Sequence, residues 1–130
     1  MKRIKNTVLL LLAMVPLSLV AADVLDSIGQ AIGSGNAAAV AQYFDANVDI
    51  TIDDKESMYS KSQAQIVVQD FFAKNAVRRF AINHRGSSAG GKQFGIGTLE
   101  TASGQYRVYY LVMQKGGANL VQEMRFEKQR

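Results

Sequence analysis

From Val24 onward the apolar positions recur first at three- and four-residue steps and later at every second residue, so the chain reads as helices followed by strands. Val24, Leu25, Ile28, Ala31 and Ile32 mark one helical stripe, and Gly33-Ser-Gly35 stops it. Asn36 is a good N-cap for a second, shorter helix through Ala37 to Phe44, rich in the best helix former. Val48, Ile50 and Ile52 then alternate with Asp49, Thr51 and Asp53, the period of a strand with one buried and one wet face. Asp53 to Glu56 predicts a polar turn. Ser60 or Ser62 starts a third helix, whose Ala64, Val67, Val68, Phe71 and Phe72 repeat at i, i+3, i+4, i+7 and i+8. Asp70 and Lys74 lie four apart on its outer side, where a solvated pair is worth about 0.3 kcal/mol and needs no functional account.

After that helix the period drops to two and stays there. Phe80 to Arg85, Gln93 to Glu100, Gln105 to Gln114 and Leu120 to Glu127 predict four strands, separated by turns at Gly86 to Gly91, Thr101 to Gly104 and Gly116 to Ala118. Short turns make this an antiparallel meander. The last hairpin can be registered by asking which pairing puts apolar residues on one face and opposite charges on the other. With Gly116-Gly-Ala118 as a three-residue loop, Val108 faces Phe126, Tyr110 faces Met124, Val112 faces Gln122, and Arg107 meets Glu127 on the opposite face. The register of Gln93 to Glu100 stays open, because Gly95 or Gly97 can host a bulge that switches faces.

The first 22 residues carry a different pattern. Lys2, Arg3 and Lys5 precede an apolar run from Thr7 to Val20, and Val20 and Ala22 supply the small positions of a cleavage site. We read residues 1–22 as a signal peptide and 23–130 as a single domain, exported to the periplasm or beyond after cleavage near Ala22. A retained anchor would need about 20 apolar residues, and Pro16 interrupts this run. No stable membrane span is therefore expected after cleavage. The chain has no cysteine, so neither a lipid anchor nor a disulfide is available and the core alone must hold the fold. A hundred or so residues suffice for one such core. The net charge of +4 is misleading: once the leader's three basic residues go, 12 basic and 11 acidic residues give +1. That offers no electrostatic funnel for nucleic acid.

Helices, a strand, a helix and a four-strand meander imply an α+β fold, with helices packed on one face of a strongly curved, mainly antiparallel sheet. The chain resembles the nuclear-transport-factor-2-like (NTF2-like) superfamily, also called cystatin-like, whose sheet forms a cone around its helices. Within it the chain is similar to small exported bacterial proteins of unknown function. The resemblance runs through Gly35-Asn36, Tyr59 to Ala64, Phe71-Phe72, His84 to Ser88, Phe94 to Leu99 and Gly104 to Val108. It implies the architecture and gives no reaction, since the superfamily holds isomerases, dehydratases, transport adaptors and noncatalytic binders, all using the mouth of the cone.

An isomerase of that kind needs an inward carboxylate base and an acidic hydrogen-bond donor. By strand parity Asp49, Asp53, Glu123 and Glu127 fall on the polar face, Asp70 lies outside its helix, and Glu100 sits at a strand end. No catalytic residue is assigned. His84, two beyond Ile82, is expected inward together with Gln122, Tyr110 and Tyr59, a polar notch in an apolar cavity of the sort that binds small molecules. The plainer account of His84 is a core or rim histidine bonded to nearby backbone. One His and no Cys exclude the usual zinc sets, and no cofactor or metal is expected. Ser87-Ser88 are ordinary turn residues, and Gly86 to Gly91 lacks the Gly-Lys-Ser/Thr of a phosphate loop.

The expected function is thus noncatalytic binding of an unknown small ligand or protein partner in the cell envelope. One alternative is a small lyase or isomerase with His84 as base. The other is a homodimeric adaptor that associates through the sheet face carrying Tyr109, Leu111 and Met113.

Overall fold

The structure, a computed structural model, describes residues 23–130. The leader, its cleavage site and the membrane question all turn on residues outside that range. Helix α1 (Val24–Gly33) starts at Asp23, whose carboxylate accepts from the Leu25 amide at 3.1 Å, and turns Leu25, Ile28, Ala31 and Ile32 inward. Helix α2 (Ala37–Ala41) starts at Asn36, whose side chain accepts from the Ala39 amide at 3.2 Å. It is shorter than its alanines predict. The Tyr43 carbonyl accepts from the Val121 amide at 2.6 Å, and Phe44 already belongs to strand β1 (Phe44–Ile52). Sheet pairing outweighs helix propensity there, because propensity is worth only tenths of a kcal/mol per residue.

Strand β2 (Lys55–Ser60) has no counterpart in the apolar pattern, since Lys55 to Met58 are all exposed. It exists by pairing antiparallel with β1 around a turn in which Asp53 adopts a positive φ of 54°. Helix α3 (Lys61–Lys74) is capped by Ser60, which accepts from the Gln63 amide at 3.3 Å, and buries Ala64, Val68, Phe71 and Phe72. Strands β3 (Val77–Ser88), β4 (Lys92–Thr101), β5 (Gly104–Lys115) and β6 (Ala118–Lys128) form the meander, each longer than its alternating core. The sheet runs β2-β1-β6-β5-β4-β3, with β1 and β6 its one parallel pair.

The last hairpin keeps most of its expected register: Val108 pairs with Phe126, Tyr110 with Met124 and Arg107 with Glu127. Two details differ. The loop is the two residues Gly116 and Gly117, both with positive φ (56° and 79°), because Lys115 pairs with Ala118. That is the turn whose twist matches a hairpin. The residue so gained is absorbed by a bulge at Gln122, so Val112 pairs with Val121 instead.

One layer of side chains fills the concave side of this curved sheet. Tyr106, Val108, Tyr110, Val112, Val121, Met124 and Phe126 come from β5 and β6, and Val48, Ile50 and Leu99 from β1 and β4. They meet Ile28, Ile32, Val40, Val68, Phe71 and Phe72 of the helices. Phe71 stacks tilted on Phe126 at 4.5 Å and edge-on to Tyr106 at 5.0 Å. Asn75, just past α3, fastens this cluster by accepting from the Tyr106 hydroxyl at 3.1 Å.

Replacing Phe126 by alanine removes the ring shared by Phe71 and Phe72. Equilibrium urea unfolding is expected to show a loss of about 3–5 kcal/mol, whereas the exposed Ile66→Ala on α3 should change stability by less than about 0.5 kcal/mol.

Candidate functional site

The four residues expected to share a cavity do not meet. Tyr59 is on β2 and His84 on β3, the two opposite edges of the sheet. His84 is also exposed, on the convex face. A bulge at Asn83 explains this: Ile82 pairs with Gly97 on the concave side, but the extra residue shifts parity, so His84 pairs with Ile96 on the other side. The Asn83 side chain donates to Thr98 Oγ1 at 2.8 Å on that same face. The expectation of an inward His84 is thereby corrected, and the isomerase-like alternative loses its base.

Gln122 is corrected for a related reason. As the bulge residue of β6 it leaves the concave row, and its Nε2 donates to Asp45 Oδ2 at 2.9 Å. Lys115 Nζ reaches the same oxygen at 2.9 Å. The Lys115 and Gln122 hydrogen bonds, with a third from the Ala46 amide, hold the Asp45 carboxyl down at about 2. Tyr110 does point inward, fully buried, but its hydroxyl donates to the Leu25 carbonyl at 2.7 Å, and burial pushes the phenol well above its ordinary range. Its ring lies against the bare backbone of Gly95, where a Cβ would come within 2.6 Å of Cζ. The Phe80 ring lies likewise against Gly97, at 2.4 Å. These glycines settle the open register: Gly95, Gly97 and Leu99 face the core, and Phe94, Ile96 and Thr98 face out.

With its own rings filling the concave centre, the fold leaves clefts at its margins. The larger, about 560 Å³, lies between α1 and β3. Phe80 and Ile82 form its floor, Gly29 and Gly33 its helical wall, and Asp26, Gln30, Arg78, Arg79 and Arg85 its rims. Arg85 is held by both Asp26 and Asp23, the latter at 3.4 Å. Arg79 reaches Glu100 at 3.1 Å. Arg78 is the extra residue of a second β3 bulge, which sets it beside Arg79. A smaller cleft of about 420 Å³ lies between the β1–β2 hairpin and α3, where Tyr59 lines it with Ile50, Ile52, Val67 and Lys55. The first cleft leaves little sign in the sequence. Its only traces there are the Arg78-Arg79 doublet opening a strand and the pair Gly29 and Gly33, one helical turn apart.

The convex face carries the remaining features. Phe94 pairs with Leu111 and Ile96 with Tyr109 across β4 and β5, beside Met113, and all five are half-buried, with no helix of the described residues over them. Next to them, Asp49, Glu56, Glu123 and Arg125 gather on β1, β2 and β6. Burial first, then the neighbouring Glu56 carboxylate, push the Asp49 carboxyl up against the pull of Arg125. Asp49 Oδ1 and the nearby Thr51 Oγ1 are buried without hydrogen-bond partners.

The sequence matches the domain of unknown function DUF4783 over residues 25–127. The chain belongs to that family. A DUF4783 family protein from Bacteroides uniformis is 27% identical, with a TM-score of 0.79 over 83% of this chain and 99% of that one. Another, from Bacteroides fragilis, is 26% identical, with a TM-score of 0.78 over 82% of this chain and all of that one. An NTF2-like protein of unknown function from Cytophaga hutchinsonii shares the fold alone, at 8% identity and a TM-score of 0.59 over 82% of this chain and 88% of that one. No curated protein matches this chain. The NTF2-like, cystatin-like architecture is thus established, and DUF4783 assigns no activity to it.

A carboxyl raised in the folded state favours folding fully below its unfolded value of 3.8 and loses that contribution as pH rises through the folded value. Asp49→Asn is therefore expected to raise stability at neutral pH, by up to about 1 kcal/mol as the like-charge neighbour is relieved. In thermal melts the gain should vanish as pH falls below 3.8; a variant less stable than wild type at neutral pH would contradict this. Asp45 has the opposite sign. Its lowered carboxyl contributes above 3.8 and loses that contribution as pH falls toward 2.

Proposed function

We propose that this DUF4783 protein is a noncatalytic binding domain, exported to the cell envelope, that engages a protein partner through the convex face of its sheet. The observation that carries the reading is the ladder of Phe94, Ile96, Tyr109, Leu111 and Met113 on a sheet face that no helix among the described residues covers. A contiguous apolar patch of this kind rimmed by charge is what protein interfaces present. The occupied concave centre supports it from the other side. Tyr110 sits where a ligand or substrate of a hollow cone would go, its hydroxyl donating to the Leu25 carbonyl.

The partner of choice is a second copy of the chain. The ladder is bordered by both signs of charge, Arg107 with Glu127 at 3.9 Å and Arg125 with Glu123 at 2.5 Å. A two-fold axis through the patch can set each arginine of one copy against a glutamate of the other, which is the self-complementarity that isologous interfaces require. Near-neutral net charge removes the repulsion that would keep copies apart.

Sedimentation velocity of the purified protein is expected to show a dimer at high micromolar concentration. Leu111→Lys, opposite Glu123 across β5 and β6, should give a folded monomer whose melting midpoint no longer rises with protein concentration. A wild-type monomer at high micromolar concentration would remove the convex face as a self-association surface.

A further inference from the structure

The cleft between α1 and β3 has the composition of a small-molecule site. Its floor is apolar, Phe80 and Ile82, and both are only half-buried. Its helical wall is glycine backbone drawn close to the strand: a Cβ at Gly29 would lie 3.1 Å from Ile82 Cδ1 and one at Gly33 3.4 Å from Phe80 Cβ, so the floor side chains pack directly against the helix and the cleft runs along that seam. Its charge is unevenly satisfied. Arg85 on one rim is closed off by two carboxylates, Asp23 and Asp26. On the other, Arg78 has no ion-pair partner among the described residues. Arg79 beside it shares a solvated pair with Glu100, the arginine side chain 71% exposed, and such a pair holds its arginine only weakly.

We propose that this cleft binds a small amphipathic carboxylic acid, its carboxylate held by Arg78 and Arg79 and its apolar stem laid over Phe80, Ile82 and the bare face of α1. The inference rests on reading the protein as a binding domain and names a ligand class for it. Guanidinium groups suit a carboxylate because their paired N–H donors match its two oxygens. The bulge at Arg78 brings two consecutive arginines to one rim, which regular strand alternation would send to opposite faces. One anionic group is all the cleft can accommodate, because Asp26 and Asp23 already satisfy the far arginine and would repel a second. Gln30 adds one uncharged donor and acceptor on the helical side.

The test uses octanoate, octanol and octylammonium as probes, titrated into the full chain and followed by amide chemical shifts and calorimetry. Octanoate is expected to shift Gly29, Gly33 and the Phe80 to Ile82 amides saturably, with octanol about tenfold weaker and octylammonium weaker still. Decanoate should bind about fifteenfold more tightly than octanoate, since each of its two extra buried methylenes contributes roughly fourfold. Arg78→Gln, at an exposed position, should weaken octanoate about tenfold without altering the melt. Equal binding of octanol, shifts centred on Tyr59 and Val67, an unaffected Arg78→Gln variant, or no saturable shift at all would each overturn the proposal. If octanoate fails while the convex face still drives self-association, only the cleft's ligand falls; failure of both removes the binding reading itself.

Discussion

The Tyr110 side chain organises this domain. Its ring occupies the centre of the concave side, and its hydroxyl reaches the Leu25 carbonyl in the first turn of α1, joining the middle of the sheet to the start of the chain. The buried Tyr110 hydroxyl would otherwise lack a partner, and an unpaired buried polar group costs about 1–3 kcal/mol. The neighbouring strand yields space by carrying glycine where a side chain would stand, at Gly95 beneath Tyr110 and at Gly97 beneath Phe80. Aromatic rings laid over glycine in adjacent strands restore the burial that glycine forfeits. A curved sheet with helices inside can be hollow or solid. Here the concave centre is filled by the protein's own rings, and open space lies at the margins.

Bulges then decide what reaches the surface. Each moves one residue out of alternation, and everything beyond it changes face. At Asn83 the shift turns His84 outward and Arg85 inward, where it pairs with α1. At Gln122 it releases an amide that donates to Asp45, whose carboxylate also accepts from Lys115. At Arg78 it gathers two arginines beside the α1 cleft. The same devices bend the sheet, so the curvature that admits the helices and the placement of polar groups have one cause.

This explains what could and could not be read from the sequence. Helix α3 and the pairing of Val108 with Phe126 were legible because each is over-determined: five apolar residues at helical spacing in one case, a buried face plus an Arg107–Glu127 pair in the other. Strand β2 was illegible because Lys55 to Met58 are wet on both faces, leaving no alternation to detect. The bulges were illegible for a different reason. Asn83 and Gln122 are ordinary strand residues, and only the partner strand reveals that one residue opposes none. Of the candidate cavity residues, parity sends His84 and Gln122 inward and each lies at or just beyond a bulge, whereas Tyr110 sits in unbroken alternation and Tyr59 lies on β2, which the pattern does not announce.

The start of the fold is equally constrained. Asp23 caps α1 through the Leu25 amide and also pairs with Arg85, so one carboxylate serves the helix terminus and the rim of the cleft. Asp26 reaches the same guanidinium, so Arg85 is shared between two acids at the start of α1. The far rim is thereby closed, which leaves Arg78, with the loosely paired Arg79 beside it, as the side of the cleft where an anion finds positive charge.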